Sequence, residues 1–258
     1  MKWSPDMLRG LLIAVSVFAA VTAHGEELAV SAAMSLKSPF EELGKIYAAQ
    51  NSVTVRFNFG ASGDLARQIE AGAPVDVFAA AAEKDMDELE KKGLLASKTR
   101  ADFASNAVVL IVPQASKLRM KSFEELRSGN IKRLAVGNPK TTPIGRYTEE
   151  VFVHYKLSDA LKDKLIPADN VRQILDYTAR NEVDAGVVYA TDAAVRGKEV
   201  KVALTAPEKS HKPVVYPIAV LKGTPNSTAA RGFVSFATSP EGRKILEKYG
   251  FKALKQSR

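Results

Sequence analysis

From Leu28 onward the chain alternates short apolar runs with segments of helical period. Leu28–Ala32, Val53–Phe59, Val75–Ala81, Ala107–Val112, Leu134–Asn138, Ala185–Tyr189 and Val200–Leu204 predict strands. Several are continuously apolar, as expected of strands covered on both faces by crossover helices. Between them Phe40, Leu43, Ile46 and Tyr47 share one helical face, as do Leu65 and Ile69, and later Met86 and Leu89. Tyr147, Val151 and Val153–Tyr155 predict another helix, and Val171, Ile174, Leu175 and Tyr177 one more. This β-α alternation predicts an α/β fold with mainly parallel sheets flanked by helices. Ala107–Pro113 and Val214–Leu221 are long apolar strands, each ending in a turn-like stretch. Taken as crossover strands and hinges, they predict two lobes, with residues 24–107 and 214–258 in lobe 1 and residues 108–213 inserted as lobe 2. A single doubly wound domain accounts for the same alternation, and the pattern alone does not separate the two.

The first segment has a different composition. Lys2 and Arg9 flank a polar start, Leu11–Val21 is apolar, and Val21-Thr22-Ala23 offers small residues for cleavage. Residues 1–23 therefore read as a secretory signal peptide; the apolar run is short of the roughly 20 residues needed to span a bilayer. The expected mature protein is soluble and periplasmic, with cleavage near Ala23. Cysteine is absent, which excludes a disulfide framework, a thiolate metal site, a catalytic thiol and a lipid-modified cysteine. The formal charge of +8 falls by one when Lys2, Arg9 and Asp6 are removed, and the remaining excess favours anions. Lys and Arg are scattered without an aromatic-interleaved basic run, which argues against nucleic acid. The chain shows no signature of homo-oligomerisation, so a monomer is expected.

Candidate chemistry lies at strand-to-helix junctions rich in small or hydroxylated residues. Leu28–Ala32 runs into Ala33-Met34-Ser35-Leu36, and Val53–Phe59 into Gly60-Ala61-Ser62-Gly63-Asp64. Leu134–Asn138 leads to Thr141-Thr142-Pro143-Ile144-Gly145, with Pro143 where a first-turn proline is tolerated. The fourth junction is Pro167-Ala168-Asp169-Asn170-Val171-Arg172. The first N–H groups of a helix lack intrahelical partners and carry the positive end of its dipole, so such starts suit an oxyanion. Ser35 and Ser62 are equally explained as helix caps, and Gly60–Gly63 as a turn. Tyr189 reads as a core aromatic at a strand end.

Five blocks of sequence carry a family resemblance that covers nearly the whole chain after residue 23. They are Ala32-Ala33-Met34-Ser35-Leu36; Leu65-Ala66-Arg67-Gln68-Ile69-Glu70-Ala71-Gly72-Ala73-Pro74-Val75-Asp76; Leu134-Ala135-Val136-Gly137-Asn138-Pro139; Gly186-Val187-Val188-Tyr189-Ala190-Thr191-Asp192-Ala193; and Tyr249-Gly250-Phe251. In order and spacing they resemble the molybdate-binding proteins of ABC transporters. The resemblance implies a two-lobed periplasmic-binding-protein fold whose lobes are joined by two crossover strands. It also implies a molybdate or tungstate ligand, no cofactor, and a membrane permease as partner. It implies that Ser35 and Ser62 donate from the first lobe through hydroxyl and N–H, that Ile144 and Val171 donate N–H from the second, and that Tyr189 donates its phenolic hydroxyl. Molybdenum would be held only as molybdate through these residues.

An all-donor pocket favours a fully deprotonated tetrahedral dianion. Phosphate near neutral pH keeps a proton that needs an acceptor, and leaving it unpaired costs roughly 1–3 kcal/mol. Sulfate passes this test and is the alternative ligand, separable from molybdate and tungstate by size. Asp64 departs from the family's usual Ser or Thr; it is expected to face solvent from the first turn, where a carboxylate suits the helix dipole. Arg146 and Arg172 are expected at the rim, attracting anions without touching them. Enzymatic activity is not expected: His24, His154 and His211 are the histidines after the signal segment, none beside a Gly-x-Ser-x-Gly elbow, and no metal-ligand spacing is present. The constellations expected for amino-acid or iron capture are not evident at the junctions, and a signal segment in place of a DNA-binding helix pair argues against a regulator's effector domain.

Overall fold

The computed structural model describes residues 26–254; the expected signal segment, its cleavage point near Ala23, and His24 lie outside the described residues. Ten strands form two five-stranded sheets. The first contains β1 (Glu27–Ala33), β2 (Thr54–Gly60), β3 (Val77–Ala79), β4 (Ala101–Ser105) and, much later in the chain, β10 (Val215–Val220). The second contains β5 (Val108–Pro113), β6 (Leu134–Gly137), β7 (Leu165–Ala168), β8 (Ala185–Tyr189) and β9 (Val200–Thr205). Helices α1 (Lys37–Asn51), α2 (Ser62–Glu70), α3 (Glu83–Lys91), α8 (Ser227–Thr238) and α9 (Pro240–Lys248) belong with the first sheet. Helices α4 (Pro143–His154), α5 (Ser158–Leu161), α6 (Val171–Ala179) and α7 (Ala190–Val195) belong with the second.

The expected α/β two-lobed architecture is present, each sheet mainly parallel and mixed by one reversed strand. Their orders are β2-β1-β3-β10-β4 and β7-β6-β8-β5-β9. In each, four strands run the same way and one, β10 in the first sheet and β5 in the second, runs against them. These reversed strands are the ones that enter a sheet directly after the chain has crossed from the other one. Neither bridges the lobes as the sequence pattern suggested: β5 lies wholly between β8 and β9, and β10 wholly between β3 and β4. The crossings are the segments just before them, Asn106–Ala107 and residues 206–214. They are tied together by the Asn106 N–H donating to Val214 O at 3.3 Å.

Sequence pattern and position in the sheet agree. Central strands β5 and β8 are buried at every residue, whereas edge strand β2 alternates, sending Val55, Phe57 and Phe59 inward. Phe57 meets Phe40 and Phe233, and Phe233 meets Tyr47 edge-on at 5.4 Å, binding α1, α8 and β2 into one aromatic cluster. The pattern missed β4, interrupted by exposed Asp102, and β7, an edge strand that tolerates Pro167. In α4 Tyr147 and Val151 are buried, but Val153 is 67% exposed, two positions round from Val151 on a 3.6-residue turn.

Truncating Phe233, fully buried at the centre of that cluster, is expected to cost about 3–5 kcal/mol. Chemical denaturation of Phe233→Ala against the unaltered protein checks this.

Candidate functional site

The parallel strands of both sheets point their C-terminal ends toward one cleft. There β1 is followed by a single 3-10 turn, Met34–Leu36, and α1; β2 by α2; β6 by α4; β7 by α6; and β8 by α7. All five residues singled out in the sequence, Ser35, Ser62, Ile144, Val171 and Tyr189, line a single cavity of about 20 Å³ between the two sheets. About 10–15 Å³ holds one water, so this space suits one compact group and not an amino acid or sugar. No charged side chain lines it.

In the second lobe the helix caps decide which donors remain. Thr142 Oγ1 accepts from Gly145 N–H at 3.0 Å, and Pro143 has no N–H, so the N–H of Ile144 is left over in the first turn of α4. Asn170 Oδ1 accepts from Arg172 N–H and Gln173 N–H, which leaves the N–H of Val171 at the start of α6. The capping side chains thus satisfy the neighbouring donors and leave one per helix, set beside the cavity.

In the first lobe neither serine is a plain cap. The residue preceding α2 is Ala61, with no side-chain cap. Ser62 is fully buried, and its Oγ accepts from Ala81 N–H at 3.0 Å, so its own proton is free to be donated. Ser35 Oγ lies 3.0 Å from the Tyr216 hydroxyl. Tyr189 is 1% exposed, and its hydroxyl makes only a long 3.5 Å contact with Ala81 O. Burial pushes its pKa well up, keeping the proton on.

The two lobes also touch directly. Gly63 N–H donates to Thr141 O at 3.0 Å, an approach so close that a Cβ on Gly63 would lie 2.6 Å from that oxygen. Arg146 on α4 reaches Asp85 on α3 at 2.5 Å, with side chains 16% and 3% exposed. Arg146 is therefore committed to a carboxylate across the cleft instead of sitting free at the rim. Burial raises the Asp85 carboxyl to about 6 despite Arg146 beside it. Arg172 is likewise turned inward, 3.8 Å from Asp192, whose buried carboxylate oxygens have no hydrogen-bond partner. Asp64 pairs with Arg67 on its own helix, away from the cavity wall and partly solvated, as its first-turn position suggested.

Sequence reasoning passed over Ala81, Asp85, Asn106 and Tyr216. The last gave one faint signal, a lone hydroxyl-bearing residue inside the apolar run Val214–Leu221.

The sequence model of bacterial extracellular solute-binding proteins matches residues 28–252. The chain is 36% identical to the molybdate-binding protein ModA of Escherichia coli, over 97% of this chain and 98% of that protein. It is 37% identical to a putative ABC transporter substrate-binding lipoprotein, YvgL, of Bacillus subtilis, over 88% of this chain and 86% of that one. Among solved structures, the substrate-binding domain of a putative molybdenum ABC transporter from Clostridium difficile matches with a TM-score of 0.70 and 38% identity, covering 90% of this chain and all of that one.

Two outcomes test this geometry. A methyl group at position 63 collides with Thr141 O, so Gly63→Ala is expected to hold the cleft open; X-ray scattering should give a larger radius of gyration than for the unaltered protein, and equal radii contradict the contact. Burial raises the Asp192 carboxyl from 3.8 to about 7, with Arg172 opposing. The folded chain therefore binds that proton more tightly than the unfolded chain. The stability this supplies is full below about pH 4 and is lost as pH rises through about 7. Melting curves of Asp192→Asn from pH 5 to 8 should show a smaller fall in stability than the unaltered protein.

Proposed function

The chain belongs to the bacterial extracellular solute-binding proteins, and from that premise we propose that it captures molybdate between its two lobes and delivers it to an ABC importer. The observation that carries the reading is the convergence of N–H and O–H donors, with no charged side chain, on one small cavity. Ser35, Ser62 and Tyr189 supply hydroxyl protons, and Ile144 and Val171 supply helix-start N–H groups. A tetrahedral dianion accepts from all of them, and the helix dipoles add partial positive charge where the anion sits. Relatives over nearly the full length are named for molybdate or for ABC-transporter substrate binding, in keeping with this assignment.

Tungstate, with the same charge and nearly the same size as molybdate, is a second ligand of this pocket. Size sets sulfate apart, and its retained proton sets phosphate apart. Export as a soluble periplasmic monomer, cleavage near Ala23 and docking on a membrane permease belong to the same proposal. No helix among the described residues is long and apolar enough to cross a membrane, and the lack of cysteine removes the lipid attachment route. Residues 24–107 with 214–258, and residues 108–213, are the lobes that close on the ligand. The protein acts by binding alone: Ser62 Oγ meets a backbone amide and Ser35 Oγ a tyrosine, so neither serine is paired with a base.

Calorimetry of the exported form checks the reading. Molybdate and tungstate are expected to bind with similar affinity, sulfate more weakly and phosphate weakest; phosphate binding as tight as molybdate contradicts the donor-only pocket. Ser62→Ala should weaken molybdate binding by about 1–3 kcal/mol, the cost of losing a buried hydroxyl donor.

A further inference from the structure

Tyr216 and Asn106 stand behind the cavity wall. Tyr216 is fully buried in β10, packed edge-on against Phe103, Tyr189 and Phe251. Its hydroxyl is 3.0 Å from Ser35 Oγ and 3.3 Å from Asn106 Nδ2. Asn106 belongs to the first crossing between the lobes, and its side chain has a single possible orientation. Oδ1 accepts the N–H of Ala107 at 2.9 Å, so the group facing Tyr216 is the amide nitrogen, which only donates. The same nitrogen donates at 2.8 Å to Thr191 Oγ1 in the second lobe.

These directions propagate. The phenolic oxygen of Tyr216 accepts from Asn106, and its one proton is left for Ser35 Oγ. Ser35 then accepts from Tyr216, and its own proton turns to the cavity. We propose that Asn106, Tyr216 and Ser35 form a one-way hydrogen-bond relay that fixes Ser35 as a donor toward the bound anion, making Asn106 and Tyr216 positioning residues for selectivity against protonated oxyanions. The inference rests on the oxyanion reading of the cavity.

Ser35 Oγ keeps a second lone pair, but accepting a proton from hydrogen phosphate along the direction in which it presents its own proton requires Ser35 to reverse. Its own proton must then point at Tyr216, whose proton in turn faces the amide donor of Asn106 with no acceptor available. The cost of a buried, unpaired O–H is thereby imposed on a ligand that needs an acceptor where Ser35 presents its proton. Burial pushes the Tyr216 pKa well above the ordinary tyrosine value, so the proton the relay needs stays in place. Because Asn106 contacts Thr191 in one lobe and Tyr216 in the other, the relay is complete only with the crossing in its present arrangement.

Two substitutions test it by calorimetry with molybdate and with inorganic phosphate. Tyr216→Phe keeps the ring packing and removes the hydroxyl. Asn106→Asp replaces a donor with an acceptor, so that Tyr216 donates to the new carboxylate and Ser35 to Tyr216, turning Ser35 lone pairs toward the anion. Tyr216→Phe is expected to weaken molybdate binding roughly three- to tenfold, the range of one net hydrogen bond, and to narrow the preference for molybdate over phosphate. Asn106→Asp should weaken molybdate more strongly in the unaltered background, and much less when combined with Tyr216→Phe, where no relay remains to be reversed. An equal cost of Asn106→Asp in both backgrounds reflects simple charge repulsion and overturns the relay, as does an unchanged molybdate-to-phosphate ratio in Tyr216→Phe. If the unaltered protein binds no oxyanion, the functional reading fails and the relay with it; if it binds molybdate and Tyr216→Phe binds identically, only the relay fails.

Discussion

A helix cannot bond its first N–H groups to itself, and burying those groups without partners is costly. In this protein the constraint recurs at several strand-to-helix junctions that face one another across a cleft. Thr142 and Asn170 satisfy part of each second-lobe helix start, and Pro143 removes one donor altogether. What remains is a single N–H per helix at Ile144 and Val171. Ser62 adds a hydroxyl whose contact leaves its proton to give, and Tyr189 one whose proton has only a long 3.5 Å contact with Ala81 O to exchange for the anion. An anion that only accepts hydrogen bonds completes all of these at once, which ties ligand binding to the same requirement that shapes the helix ends.

Neutrality of the cavity wall follows from how the nearby charges are spent. Arg146 is held by Asp85 across the cleft and Arg172 by Asp192 beneath it. A free arginine at the anion would strengthen binding of any oxyanion and blur the distinction between protonated and unprotonated ones. In the proposed site discrimination is left to hydrogen-bond direction, where an unpaired proton is penalised by roughly 1–3 kcal/mol. The cost of the arrangement shows in Asp85 and Asp192, whose carboxyls burial raises to about 6 and about 7. Contacts across the cleft include Gly63 N–H to Thr141 O at 3.0 Å and Arg146 to Asp85 at 2.5 Å. Both contacts span the cleft that holds the cavity.

Much of the fold can be read from local pattern, because buried parallel strands are continuous apolar runs and the junction after each carries small or hydroxylated residues. β8 spans the residues its pattern predicts, and β1 and β6 fall within one residue of theirs at each end. The crossings were harder to place. Val214–Leu221 is as apolar as a bridging strand should be, yet its apolarity comes from lying in the middle of a sheet. Ser35 and Ser62 look like caps in sequence, and only the third dimension brings Tyr216 and Ala81 to them. Arg146 illustrates the same limit: its charge is visible in the sequence, but the carboxylate that neutralises it lies on a helix of the other lobe. Long-range partners of this kind leave no local period or spacing to read.

In the proposed complex an oxyanion is held in the cleft by neutral donors alone. A crystal structure of the exported protein with molybdate tests it most directly. The anion is expected between the lobes, with oxygens about 2.7–3.2 Å from the hydroxyls of Ser35, Ser62 and Tyr189 and from the N–H groups of Ile144 and Val171. Arg146 and Arg172 should remain on Asp85 and Asp192. Molybdate bound outside the cleft, or gripped by either arginine, would contradict it.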